Sequence, residues 1–382
     1  MLIHRPRYMS LDTSHITQWI RDATSARAED RQAAAAFDRW LEESGSIPLI
    51  SLHHIEELCS YNDTGLVRAR LRFLGARKLV AWIGDGTADS GPTGIVAILR
   101  EEVRAGYEAP AASLTEVRQK AARHLFRVGS GEDMLGPDPD IWLALGEIFA
   151  ARTADARKMV ALTRTDVIDI RDTPIRHLIN GRWREGENLR RSLNLIRGTY
   201  ATDIEKHGDR RIEDPYAVAG EFMQQVEAMA AALPRSPKEL VLGALAQQGV
   251  EPDDIQLDST VGEILDLGEF LQRVRLVAQD MQLPWREVKR RVRMGRIPSE
   301  LITGGLRRHA QKLPERKGSD LNDTYLACLA AYADVTFVDK RTRETFRRAR
   351  SKDAAFDAIC KRVEVASSYR DIPKILSSEA PS

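Results

Sequence analysis

The chain has 382 residues, of which 43% are hydrophobic and 30% charged, with a net charge of +1. This is the composition of an ordinary soluble protein with a substantial core, long for one domain. The balanced charge excludes a whole-molecule field for nucleic acid, so any basic patch must be local. No stretch approaches the ~20 apolar residues of a membrane span, so no membrane partner is expected. The opening MLIHRPRYMS lacks the long apolar run of a signal peptide. Cys59, Cys328 and Cys360 are odd in number, far apart and set in apolar contexts, which favours reduced, buried thiols over a disulfide or metal cluster. A cytoplasmic protein is the expectation.

In chain order, Tyr8 to Leu11 reads as a short strand delivering Asp12, with a helix-like stretch from Ile16 to Ala23 behind it. Ala33 to Glu43 is an amphipathic helix closed by Gly45. Ile47 to Ile50 is apolar, and Ser51 caps the helix LHHIEELCSY. A basic helix, Leu66 to Leu74, leads to a strand at Leu79 to Ile83, then the turn GDGTADSGPTG and a helix through about Arg104. Strand and helix thus alternate, the pattern of a parallel sheet. From about Gly106 to Ser299 the periodicity is helical, with almost no convincing strand. The expected helices are Leu114 to Phe126, Ile141 to Thr163, Leu189 to Tyr200, Ala217 to Leu233, Pro237 to Gln248, Thr260 to Asp280 and Trp285 to Met294.

Alternation returns near Ile297. Gly318 to Thr342 reads as a helix followed by a buried strand, with Ser319 as N-cap, Leu326, Leu329, Ala330 and Ala333 at helical spacing, and Val335 to Val338 as the strand that ends in Asp339. A basic helix, RTRETFRRAR, a further helix from Asp353 to Lys361 and a last strand, Val363 to Ala366, complete the pattern. The simplest organisation is one α/β domain assembled from both chain ends, residues 1–105 and 300–382, with a mostly helical insertion at 106–299. Two separate domains would leave each end with too few strands for a covered sheet.

Asp12, Glu57, Asp323 and Asp339 stand out by position. Acids follow the first and fourth strand candidates, where open α/β sheets place their ligands, and another opens the helix between them. Hard divalent cations take oxygen ligands, and a bound cation relieves the mutual repulsion of clustered carboxylates. Asp320 shares a helix face with Asp323 and is either a further ligand or a first-turn acid favourable to the helix dipole. Taken singly, Asp12 also reads as a turn residue before a helix, Asp339 as an ion-pair partner of Lys340 or Arg341, and Glu56 as a solvated neighbour of Glu57.

Four short motifs in order resemble those of PIN-domain nucleases. YMSLDTSHI is similar to the family's opening strand ending in Asp-Thr-Ser, and SLHHIEEL to its second motif, whose register selects Glu57 over Glu56. NDTYLACLAAYADVTFVDKRT is similar to the third and fourth motifs, and VEVASSYRDIPKIL to the closing strand. The resemblance covers roughly the first hundred and last eighty residues. It implies a parallel sheet flanked by helices and a Mg²⁺- or Mn²⁺-dependent endonuclease. The expected substrate is RNA, single-stranded first, with Asp12, Glu57, Asp323 and Asp339 as the acid cluster and Thr13 or Ser14 assisting near the metal. Asp339 stands where the family's last strand carries Thr, and 323 − 57 = 266 positions separate the second and third motifs.

Phosphate contacts are expected from local basic runs. The candidates are Arg290 and Arg291 in WREVKRRVRMGR, Arg307 and Arg308 before the acidic motif, and Lys340 and Arg341 after it. Arg182, Trp183 and Arg184 offer a base-stacking alternative to a Trp at a core edge. GDGTADSG lacks the Gly-Lys-Ser/Thr ending of a phosphate loop and reads as a turn. His53 and His54 lack the spacing of a helical zinc pair and read as ordinary histidines. The insertion would serve substrate access, homo-oligomerisation or a protein partner. A toxin or phage-defence effector is one expected setting. The rivals are a catalytically silent PIN-like scaffold that binds RNA or protein, and a structure-specific DNA nuclease.

Overall fold

The computed structural model describes residues 6–85, 91–163, 171–179, 187–231, 242–243, 245–311, 317 and 319–377. They divide into two compact units, one comprising residues 1–152, 290–311 and 322–382, the other residues 153–289 and 312–321.

The first unit holds a six-stranded sheet: β1 (Arg7–Ser10), β2 (Ser46–Ile50), β3 (Val80–Ile83), β4 (Phe126–Gly129), β5 (Val335–Phe337) and β6 (Arg362–Glu364), in the order β4-β3-β2-β1-β5-β6. All neighbours are parallel except β3 and β4. An α/β architecture with helices on both faces follows, as the alternation predicts. The central strand β2, SIPLI, is buried along its whole length, as a parallel strand covered on both faces requires. β4 is a strand within the middle region, where almost no convincing strand was expected. The helix predicted to reach Phe126 ends at Leu125, and FRVG turns back as an antiparallel edge strand. Four half-exposed residues are too few to carry a legible period.

Side-chain alternation sorts the sheet into two faces. Met9, Leu11, Ile50, Val80, Trp82, Val335 and Phe337 join one core with α1 (Thr13–Ala23), α2 (Ala28–Ser44), α3 (Leu52–Cys59) and α4 (Thr64–Gly75). Trp19 meets Phe37 and Phe73 edge to face, with ring centroids 5.1 Å apart in both cases. Gly45 ends α2 at φ 63°, a left-handed turn that glycine adopts without strain. Ile47, Leu49, Ala81 and Ile83 face the other core, covered by α5 (Ile95–Glu108), α6 (Leu114–Leu125), the helix Pro298–His309 and the alanine-rich stretch 327–333. That stretch departs from the predicted spacing: the helix Ser319–Ala327 stops early and tightens into a 3₁₀ turn, Cys328–Ala331.

The C-terminal stretch ties back to the first helices. Tyr369 Oη and Arg370 donate to Asp22 at 2.8 and 2.6 Å, and Arg370 also reaches Asp30 at 2.8 Å. Glu102 of α5 is fully buried. It accepts from Ser299 N–H at 2.9 Å and from Tyr332 Oη at 2.5 Å, and it also bonds the Ser299 hydroxyl. These contacts join N-terminal, middle and C-terminal sequence in one core. Cys59 and Cys328 are buried free thiols and Cys360 is partly buried; burial pushes Cys59 up to about 11 and Cys360 up to about 12.

In the second unit, the helices Glu187–His207 and Pro215–Ala231 share a small core with Ala161, built around Ala201, Ile204, Val218 and Ala219. The helix Val261–Asp280 begins at a Thr260–Glu263 capping box and pairs with residues 171–175 through the bridge between Pro174 and Thr260. Half of the predicted helix at Pro237 to Gln248, the centre of the Gly84–Gly91 turn, and Arg182, Trp183 and Arg184 lie outside the described residues. Among the described residues no helix is long and apolar enough to cross a membrane.

Candidate functional site at the carboxyl edge of the sheet

From β1 the chain steps outward through β2 to β3. It later returns to the other side of β1 with β5 and continues outward to β6. The boundary between β1 and β5 is therefore the topological switch point, where open α/β sheets leave a crevice beyond their carboxyl ends. The register pairs Met9 with Val335 and Ser10 with Thr336, so the two chains leave the sheet side by side. Asp12 follows one and Asp339 the other.

Both acids act as N-caps. Asp12 Oδ1 accepts from Ser14 N–H at 2.7 Å, and Asp339 Oδ1 accepts from Thr342 N–H at 2.6 Å, opening the basic helix Lys340–Lys352. Two helix N-termini thus meet the same sheet edge and favour negative charge there. Asp339 is exposed and lies 3.7 Å from Arg341 Nε; Lys340 beside it is also exposed. Thr13 is buried and its hydroxyl has no hydrogen-bond partner among the described residues, whereas Ser14 is exposed.

Glu57 enters from α3. Its Oε1 accepts from Asn322 Nδ2 at 3.0 Å. Asp323, the next residue, does not open its helix as expected but lies in the second turn, because the helix begins at Ser319. A second contact between these segments is the stack of His53 on Tyr325, centroids 5.0 Å apart. Asn322 carried no signal in the sequence analysis. Only the fold reveals that it meets an acid 265 positions away.

Glu56 corrects its expectation as a solvated neighbour. Its side chain is only 12% exposed, and it bonds His53 at 3.1 Å and Arg152 at 2.8 Å. Burial raises its proton affinity, but those two partners outweigh burial and carry it below the usual carboxylate range.

His54 is fully buried at the start of α3. The Ser51 backbone N–H and hydroxyl both reach its Nδ1 at 3.0 Å, and its Nε2 lies 2.8 Å from the Leu11 carbonyl. A backbone N–H can only donate, so Nδ1 is the acceptor and Nε2–H donates to Leu11. Burial pushes the ring down to about 4, against the pull of the Leu11 carbonyl and Asp12. The spacing Ser51-x-x-His54 mimics a capping box with His in place of Glu, a signal that was available in the sequence.

Among the described residues, no group of three or more His, Cys, Asp or Glu side chains is placed to hold a metal ion. The donor chemistry still suits a hard cation. Asp12 and Glu57 each commit one carboxylate oxygen to a hydrogen bond, and no partner stands against the other among the described residues. Mg²⁺ commonly takes one or two protein carboxylates and fills its remaining positions with water and substrate phosphate. Asp320 belongs to the second unit, where it is buried and accepts from Lys317 N–H at 3.3 Å.

The basic candidates are unequal. Arg291 donates to the Tyr107 carbonyl at 3.4 Å and lies over its ring at 4.8 Å, which is a packing role. Arg308 pairs with Asp353 at 3.3 Å, and Arg307 shares its last helical turn. Arg290 falls in the helix Trp285–Arg291. Lys340 and Arg341 alone sit in the first turn that Asp339 opens. Comparison with protein-family models, with curated proteins and with solved structures finds no match.

Proposed function

We propose that the protein is a Mg²⁺- or Mn²⁺-dependent endonuclease of PIN-like type that hydrolyses RNA phosphodiesters. The observation that carries this reading is the pair Asp12 and Asp339 closing adjacent parallel strands at the switch point of the sheet. The contact between Asn322 and Glu57 supports it by bringing the Asp323 turn against the acid-bearing α3. Asp12 and Glu57 would supply the one or two protein carboxylates that such a cation takes, with Asp323 on the neighbouring helix assisting through its water shell and Asp339 lining the same edge. A bound divalent cation supplies Lewis-acid polarisation and charge neutralisation at the phosphodiester. Lys340 and Arg341 grip backbone phosphate at the mouth, and Ser14 offers its hydroxyl beside Asp12.

The test is cleavage of single-stranded RNA with Mn²⁺, with and without EDTA, by wild type, Asp12→Asn and Asp323→Asn. Asn preserves the N-cap of α1, so Asp12→Asn isolates the charge from the fold. Both variants are expected to cleave at least a hundredfold more slowly, about 2.7 kcal/mol of lost transition-state stabilisation. Equal cleavage by all three proteins overturns the assignment. A panel with single-stranded DNA and flapped duplexes separates an RNA enzyme from a structure-specific DNA nuclease. The second reading is a silent scaffold that binds RNA or protein. It is favoured by the capping roles of Asp12 and Asp339, which already give both acids a structural task. RNA retention without cleavage in the same assay is its outcome.

A further inference from the structure

We infer that His54 is a positioning residue, locking the strand end that presents Asp12 to the helix that presents Glu57. The inference rests on the reading of these acids as a cation site and adds a residue outside the acid set. Both ring nitrogens of His54 are committed. Nδ1 accepts twice from Ser51, which fixes the first turn of α3. Nε2–H donates to the carbonyl of Leu11 at 2.8 Å. β1 ends at Ser10, so the Leu11 carbonyl lies past the strand, and a buried carbonyl left without a donor would be costly. The residue after that carbonyl is Asp12. Glu57 lies three positions after His54, on the same face of the helix.

The ring thus sets the offset between the two acid-bearing segments through bonds of fixed direction. A packed apolar ring could fill the space but could not fix that offset. Donors that orient metal ligands from behind typically contribute ten- to a hundredfold in metal affinity.

Two substitutions divide the ring's contacts. Asn places its amide oxygen near the position of Nδ1 and keeps the Ser51 bonds, but has no donor for Leu11. Gln places its amide N–H near the position of Nε2 and keeps the Leu11 bond. The readout is the Kd for Mn²⁺ alone, from the electron paramagnetic resonance signal of the free ion, for the full chain. His54→Asn is expected to weaken Mn²⁺ binding about tenfold or more, with His54→Gln retaining most of the affinity. Wild-type affinity in His54→Asn overturns the inference, as does an equal loss in both variants, because a purely structural role would not distinguish them. Should His54→Asn fail to fold, the wild-type protein labelled with ¹⁵N-histidine provides the second measurement. The His54 Nε2 resonance is expected to shift on addition of Mg²⁺ and to stay put in Asp12→Asn; an unmoved wild-type resonance overturns the inference. Wild type that binds no Mn²⁺ sinks the cation-site reading itself, whereas binding lost in Asp12→Asn but unchanged in His54→Asn sinks the His54 assignment alone.

Discussion

Two acid-bearing regions of the sheet unit differ in what they do with a carboxyl group. At the carboxyl edge, Asp12, Glu57 and Asp339 are at least partly open to solvent and bonded by backbone N–H groups or an amide. Beneath the sheet, Glu102 is sealed between Ser299 and Tyr332, with no basic partner among the described residues. Burial pushes Glu102 up to about 8, against hydrogen bonds from Ser299 and Tyr332 that favour the carboxylate. It is therefore protonated at neutral pH, donating to the Ser299 hydroxyl while its other oxygen accepts. The contrast shows that burial, more than the number of donors, decides whether an acid serves as a structural staple. At the edge, half-buried acids keep an oxygen in hand.

The largest effect expected from breaking this contrast is on stability. Glu102→Ala strands the Ser299 N–H and the Tyr332 hydroxyl and opens a void, which costs about 4 kcal/mol in urea unfolding. Glu102→Gln, which can donate to Ser299 Oγ and accept as the neutral acid does, is expected to lose much less. Equal losses from the two variants would mean that the hydrogen bonds contribute little.

The next effect is in the pH dependence of unfolding. Glu102 binds its proton more tightly folded than unfolded, so its contribution is complete below about 4.5 and is lost as pH rises toward 8. His54 has the opposite sign. It is harder to protonate folded than unfolded, so its contribution is complete above 6.5 and is lost as pH falls toward 4. Each slope is about 1.4 kcal/mol per pH unit. The two contributions cancel between 4.5 and 6.5. They leave a plateau there, with an alkaline fall above 6.5 that belongs to Glu102. Glu102→Gln is expected to remove that fall, and an unchanged alkaline limb would show that Glu102 titrates elsewhere.

The smallest effect sharpens the edge. Asn322→Ala removes one hydrogen bond to the half-buried Glu57, worth about 1 kcal/mol. The expected outcome is about a fivefold slower RNA cleavage, with a melting temperature within a few degrees of wild type. A variant as inactive as Asp12→Asn would give Asn322 a larger part than orienting Glu57.

The alternation of apolar strands with amphipathic helices was enough to predict an α/β class, β1 to β3, β5 and β6, and most helices. The signal was strong because a parallel strand buried on both faces must be apolar throughout, and because Asp12 and Asp339 end their strands visibly. β4 was illegible because a four-residue edge strand makes few demands on its side chains. The 3₁₀ turn at Cys328–Ala331 was illegible because alanine fits either helix. The burial of Glu56 depended on Arg152, 96 positions away, which no local pattern announces.

The chain by itself determined the kinds of elements and the acids at their ends, since hydrophobic period and capping chemistry act within a few residues. Only the tertiary structure decided which ends meet: β5 beside β1, Asn322 against Glu57, His54 beneath Leu11, Glu102 among Ser299 and Tyr332. Those pairings join positions tens to hundreds of residues apart. They are selected by burying two faces of one sheet at once, a condition that no short stretch of sequence can express.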